Sequence, residues 1–117
     1  MKDKKRIRYS FNQMINDSIE LANRLKLIKY NFKNIYCSSL NSQVLGIILS
    51  KELDLPIIYS RARISDETLM VSHVIGKTGQ FRKKNTIASL FIEENSNVKT
   101  AYYSRILKEN QWIDFTC

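Results

Sequence analysis

Asn34 to Ile58 reads NIYCSSLNSQVLGIILSKELDLPII, and Thr68 to Phe81 reads TLMVSHVIGKTGQF. Each stretch is an apolar, β-rich run that breaks into a loop of small polar residues, and the first then passes into an amphipathic helix and a second apolar run. Strand, polar loop, helix and strand make an α/β layout, in which ligands sit in loops at the carboxyl ends of strands. Ile35 to Ser38 predicts a short strand and Ser39 to Ser42 a loop, with Asn41 or Ser42 capping a helix that runs through Leu53. Val44, Leu45, Ile48, Leu49 and Leu53 give that helix one apolar side, and Gly46 allows close approach to the sheet. Leu55 to Ser60 is the next strand, opened by Pro56, the single proline. Alternation of Ile58, Ser60, Ala62 and Ile64 with Tyr59, Arg61 and Arg63 extends it toward Ile64. Ser65 to Glu67 then turn the chain into a strand over Thr68–Ile75. This connection falls short of the dozen or so residues of a parallel crossover. Two arrangements stay open: an antiparallel pair, or an extended link across the sheet edge.

Outward from this centre, Ser10 to about Tyr30 reads as a helix. Ser10 and Gln13 form a capping box. Phe11, Met14, Ile15, Leu21, Ala22, Leu25 and Ile28 fall on one stripe, with Asn12, Asp17, Asn23, Arg24 and Lys26 outside it. That helix reads as packing rather than as a site. Thr86 to Glu93 predicts a further strand, and Trp112 to Phe115 a short closing one. The expected fold is α/β, a mostly parallel central sheet of four or five strands flanked by helices. Few helices follow Leu53, so apolar sheet surface around Leu90, Ile92, Tyr102 and Trp112 is expected to lie open. A homodimer would cover it.

The 117 residues suit a single domain, residues 1–117, with one core. A hydrophobic fraction of 44% argues against disorder. No run approaches ~18 consecutive apolar residues, which argues against a membrane span. MKDKKRIRYS has no apolar segment behind it, so it does not read as a secretory signal. Two cysteines, Cys37 and Cys117, make no disulfide framework, and a reducing, cytoplasmic location is expected. The net charge of +8 divides into two clusters. Lys2, Lys4, Lys5, Arg6 and Arg8 sit in residues 1–8, read as a mobile basic terminus. Arg61, Arg63, Lys77, Arg82, Lys83 and Lys84 fall just after strands, where anions bind in a parallel sheet. Aromatics do not interleave with either cluster along the sequence, so a small phosphorylated ligand is favoured over nucleic acid.

Few residues carry chemistry on their own. Gly76-Lys77-Thr78 suggests a triphosphate loop, but the glycine required five positions earlier is Val71. His73, the only histidine, is a weak candidate for a catalytic acid/base; the blander reading is a hydrogen-bonded structural residue. No metal site can be assembled around it. Cys37 reads as an inert core thiol.

Taken in order, these elements resemble the type I phosphoribosyltransferase family, especially its small guanine/xanthine members. The resemblance spans about Tyr9 to Phe115. It rests on NIYCSSLNSQVLGIILSKELDLPII, TLMVSHVIGKTG and the closing TIASLFIEENSNVKTAYYSRILKENQWIDF, although no single motif is intact. Leu40, Asn41 and Ser42, after Ser39, stand where the family has its pyrophosphate-loop Arg-Gly-Gly. Ser72 and His73 replace the acidic pair that holds the ribose, and Gly76 or Lys77 replaces the following Asp. Thr78 and Gly79 still match the 5′-phosphate loop, which runs through Gln80. The lid is reduced to about Arg61–Glu67, and the helix after the phosphate loop to Gln80–Asn85. The resemblance thus implies a minimised, degenerate phosphoribosyltransferase-like protein that binds a phosphorylated ribose or nucleotide. Its expected contacts are Ser39–Ser42, Arg61, Arg63, Ser72, His73 and Gly76–Gln80. Weak purine transferase activity, a glycosyl transfer needing Mg²⁺, is one alternative. A basic nucleic-acid- or protein-binding scaffold is another.

Overall fold

Ser10 closes one element and starts the next. In the computed structural model, which describes residues 4–28, 31–76, 84–98 and 101–116, strand β1 (Lys5–Ser10) runs directly into helix α1 (Phe11–Lys26). The capping box forms as read: the Gln13 N–H donates to Ser10 Oγ at 3.1 Å, and the Ser10 N–H donates to Gln13 Oε1 at 2.9 Å. The helix ends at Lys26, sooner than the expected Tyr30, and Leu27 beyond it is exposed. Met14, Leu21, Ala22 and Leu25 are buried as expected. Asp17 was placed outside the apolar stripe but is buried, because Tyr9 and Arg105 satisfy its carboxylate.

The remaining elements are β2 (Asn34–Cys37), α2 (Gln43–Leu53), β3 (Ile57–Ile58), β4 (Thr68–Ile75), β5 (Ile87–Glu93), β6 (Ala101–Leu107) and β7 (Gln111–Thr116). One sheet has the order β3-β2-β4-β5-β6, with every neighbouring pair parallel. Strand β7 pairs instead with β1, in a separate parallel ribbon of two strands. The N-terminal basic segment is therefore not a mobile tail from Lys5 onward. Ile7 packs against the core and Tyr9 is buried in it, alternating with exposed Arg6 and Arg8.

Both helices pack on one face of the sheet. Their cluster joins Leu21, Leu25, Leu45 and Leu49 to Ile35, Leu69, Val71, Ala88 and Leu90. Gly46 sits where a Cβ would come within 2.1 Å of Cys37 Sγ, so any larger residue there would force the Cys37 thiol aside. A smaller cluster of Met70, Ile75, Ile87 and Ile92 covers the opposite face.

Two expectations change here. Strand β3 stops at Ile58, and Arg61–Arg63 form a 3₁₀ turn instead of extending it. The Ser60 hydroxyl caps that turn, accepting from the Ala62 N–H at 3.3 Å. The chain then reaches β4 beside β2, not beside β3, so the antiparallel alternative is wrong and the extended link is right. The second change concerns the uncovered sheet surface. Ile64 from the 59–67 link and Val98 from the 94–100 link pack on the smaller cluster. Ile92 is buried beneath these links and Leu90 beneath the helices, within one chain, which removes the expected reason for a homodimer at those residues. No described helix is long and apolar enough to cross a membrane.

Candidate functional site

The chain moves from β2 to β3 on one side and to β4 on the other, so loops after β2 and β4 diverge at a switch point of the sheet. A cleft of about 510 Å³ opens there. Ser38 and Ser39 after β2 line it, with Arg61 and Ile64 of the link, Ser72, His73, Val74 and Gly76 at the end of β4, and Glu93 at the end of β5. Tyr36 and Met70 form its floor from the smaller apolar cluster.

A break in strand alternation shapes the cleft wall. Period two would put Val74 on the same side as Met70, yet Val74 packs with the helix-side core while Ile75 joins Met70. Strand β5 slips alike, with Leu90 and Phe91 both in the helix-side core and Ile92 opposite. Matching serines support the slip: Ser72 Oγ donates to the Val74 carbonyl at 2.9 Å, and Ser89 Oγ donates to the Phe91 carbonyl at 2.8 Å. The two serines are ladder partners, so the irregularity stays in register across both strands.

At this break His73 turns its Nδ1 to Ser39 Oγ, 2.8 Å away. Its ring meets the edge of Phe115, with centroids 5.6 Å apart, so the far end of the chain braces it. Burial holds its pKa below the usual 6.5, which favours a neutral imidazole. Ser38 spends its hydroxyl on the Val71 carbonyl at 3.0 Å.

The sequence-derived residues separate into groups. Ser39, Arg61, Ser72, His73 and Gly76 come together in the cleft. Ser42 is fully buried, and its hydroxyl donates to the Ser39 carbonyl at 2.7 Å while accepting from the Ser39 N–H at 3.2 Å, so it builds the turn from within. Leu40, 80% exposed, Asn41 and Arg63 point to solvent and do not line the cleft. Lys77, Thr78, Gly79 and Gln80 lie outside the described residues, as do Arg82 and Lys83. Sequence reasoning missed Tyr36, Ser38, Ile64, Met70, Val74, Glu93 and the bracing Phe115. Glu93 had a readable signal, being the polar residue that ends an apolar strand. Phe115 had none, because its contact spans the chain. Among the described residues no three His, Cys, Asp or Glu side chains gather as a metal site.

This architecture has known counterparts. A hypothetical protein from Neisseria gonorrhoeae with bound ppGpp superposes with a TM-score of 0.73 at 12% identity, over 98% of this chain and 90% of its own. Xanthine-guanine-hypoxanthine phosphoribosyltransferase from Helicobacter pylori gives 0.67 at 21% identity, over 95% and 92%. Purine phosphoribosyltransferase from Pyrococcus horikoshii gives 0.67 at 18% identity, over 94% and 91%. No protein-family model and no curated protein sequence matches the chain. The fold is phosphoribosyltransferase-like.

Proposed function

We propose that the cleft binds a phosphorylated ribose or nucleotide and lacks full transferase activity. The observation that carries this reading is the lining itself. The cleft lies at the switch point and presents hydroxyls, a neutral imidazole and the Arg61 guanidinium, with Glu93 the one carboxylate among the described lining residues. A ribose offers hydroxyls that the Ser39–His73 pair can bond by donating or accepting. A phosphate group favours the cation Arg61 and the open space beside Gly76, where even a Cβ would meet nothing within 4 Å. Structural likeness to two purine phosphoribosyltransferases and to a ppGpp-bound protein supports a phosphorylated nucleotide as the ligand class.

Transfer from a pyrophosphate-activated ribose would need a magnesium complex and charge to stabilise an oxocarbenium-like transition state. The described lining offers one carboxylate for that ion, and Ser72 and His73 supply no negative charge. These residues do not fit a magnesium-dependent site. A second reading, weak purine transfer with His73 as acid/base, is favoured only by the buried, neutral imidazole. Calorimetric titration with ribose 5-phosphate, guanosine monophosphate and ppGpp tests the first reading. Affinity in the millimolar to micromolar range is expected, about 4–8 kcal/mol, with loss in Arg61→Gln and Ser39→Ala. Nucleotide formation from phosphoribosyl pyrophosphate, Mg²⁺ and a purine base would overturn it in favour of the second. Absence of binding to all three ligands would sink both.

A further inference from the structure

The ribbon of β1 and β7 turns a second surface outward. Parallel pairing sets Arg6 beside Trp112 and Arg8 beside Asp114, and ladder partners project to the same side. Ile7, Tyr9, Ile113 and Phe115 alternate with them and pack inward. The outer face therefore carries Lys4, Arg6, Arg8, Trp112 and Asp114. Lys4, Arg6 and Arg8 are exposed, and the indole of Trp112 is 45% exposed among them. Asp114 lies 3.6 Å from Arg6 and offsets one of the three cations. Along the sequence these cations and this aromatic ring are about as far apart as the chain permits; pairing of the two ends interleaves them.

Surfaces for single-stranded nucleic acid combine cations that follow the phosphates with an aromatic face on which a base stacks. Guanidinium groups add bidentate phosphate pairing and stacking of their own. We propose that this face binds single-stranded nucleic acid, one base stacking on Trp112 and the flanking phosphates meeting Lys4, Arg6 and Arg8. The chain's net charge of +8 draws a polyanion toward it. The track is short, because past Lys4 three carboxylates, Glu93, Glu94 and Glu109, gather with Lys108 around a depression. Trp112 does not line the nucleotide cleft, so the two surfaces are separate.

Trp112 is the only tryptophan of the chain, which makes its emission a reporter of the proposed contact. Titration with oligouridylate and oligodeoxythymidylate should quench it saturably. The affinity should fall with salt at a log–log slope of about −1.4, near −0.7 for each of the two phosphates met by cations that Asp114 does not offset. The double substitution Arg6→Gln with Arg8→Gln should weaken binding at least tenfold and bring the slope to about −0.7. Anisotropy of a labelled oligonucleotide should read a loss of about tenfold for Trp112→Ala and a smaller one for Trp112→Phe. Circular dichroism checks that each variant is folded. Excess ribose 5-phosphate should leave oligonucleotide binding intact. Unchanged emission on titration overturns the proposal, as does wild-type affinity in the folded double arginine variant. Equal binding to duplex DNA, or to phosphatidylserine vesicles, would show a general anion-binding surface and also overturn it.

Discussion

Gly46 is the residue on which the contact of α2 with the sheet turns. Its missing side chain leaves room for Cys37 Sγ, and any Cβ would fall 2.1 Å from that sulfur. Gly46→Ala is therefore expected to destabilise the protein by about 1–3 kcal/mol, despite the helix propensity alanine gains. The clash is with Sγ; Cys37 Cβ stands at an ordinary 3.8 Å. Cys37→Ala should then rescue Gly46→Ala, and a double-mutant cycle from urea unfolding checks the coupling. Additive effects would mean that the sulfur is not the obstacle. At His73, burial lowers the pKa below the unfolded value of about 6.5. The unfolded chain thus takes up the proton first, and stability present above pH 6.5 is lost as pH falls toward the folded pKa. For a single group the slope in that window is at most about 1.4 kcal/mol per pH unit. His73→Gln should flatten that part of the pH profile, and an unchanged profile would assign the effect to other groups. Gly46 was legible in the sequence because a glycine within an apolar helix has few other uses. The Ser39–His73 pair was not, since it joins the loop after β2 to a residue of β4, 34 positions away.

Among the elements, β1 shows where local patterning failed. KRIRYS has a period-two signal in Ile7 and Tyr9, but the charge of Lys5, Arg6 and Arg8 made residues 1–8 read as a mobile basic terminus. The strand is fixed by a partner at the other end of the chain and by a polar clasp beneath it. Tyr9 Oη donates to Asp17 Oδ2 at 2.6 Å, and Arg105 Nε donates to the same oxygen at 2.7 Å. Burial, then the neighbouring carboxylate, pushes the Tyr9 phenol well above its usual range, so it stays a donor. The clasp joins β1, α1 and β6, and T-shaped packing of Tyr9 on Phe91 and Phe115 completes the junction. Asp17→Ala leaves a buried hydroxyl and a guanidinium without their acceptor, and a loss of about 2–3 kcal/mol is expected. Tyr9→Phe removes one bond while keeping the ring packing, for about 1 kcal/mol. Chemical denaturation orders the two; a larger loss for Tyr9→Phe would assign the junction to the phenol alone.

For the molecule as a whole, the parallel sheet and its helical layer were readable because strands β2, β4 and β5 carry mostly apolar, β-rich runs. The second face was not, because it is covered by extended links whose anchoring residues, Ile64 and Val98, are single side chains in polar surroundings. Covering a sheet with links instead of helices lets 117 residues close a fold of this type. It also leaves the cleft bordered by Arg61 and Ile64. Two surfaces are then proposed for phosphate, the cleft at the switch point and the outer face of the ribbon. Ligand linkage can separate them, since a ligand at a hundred times its Kd adds about 2.7 kcal/mol to the stability of the folded state. Ribose 5-phosphate at that excess should raise Tm in the wild type and equally in Arg6→Gln with Arg8→Gln. The rise should vanish in Arg61→Gln with Ser39→Ala, which alters only the cleft. An equal loss in both pairs of variants would mean that net charge, and not the cleft, holds the phosphate.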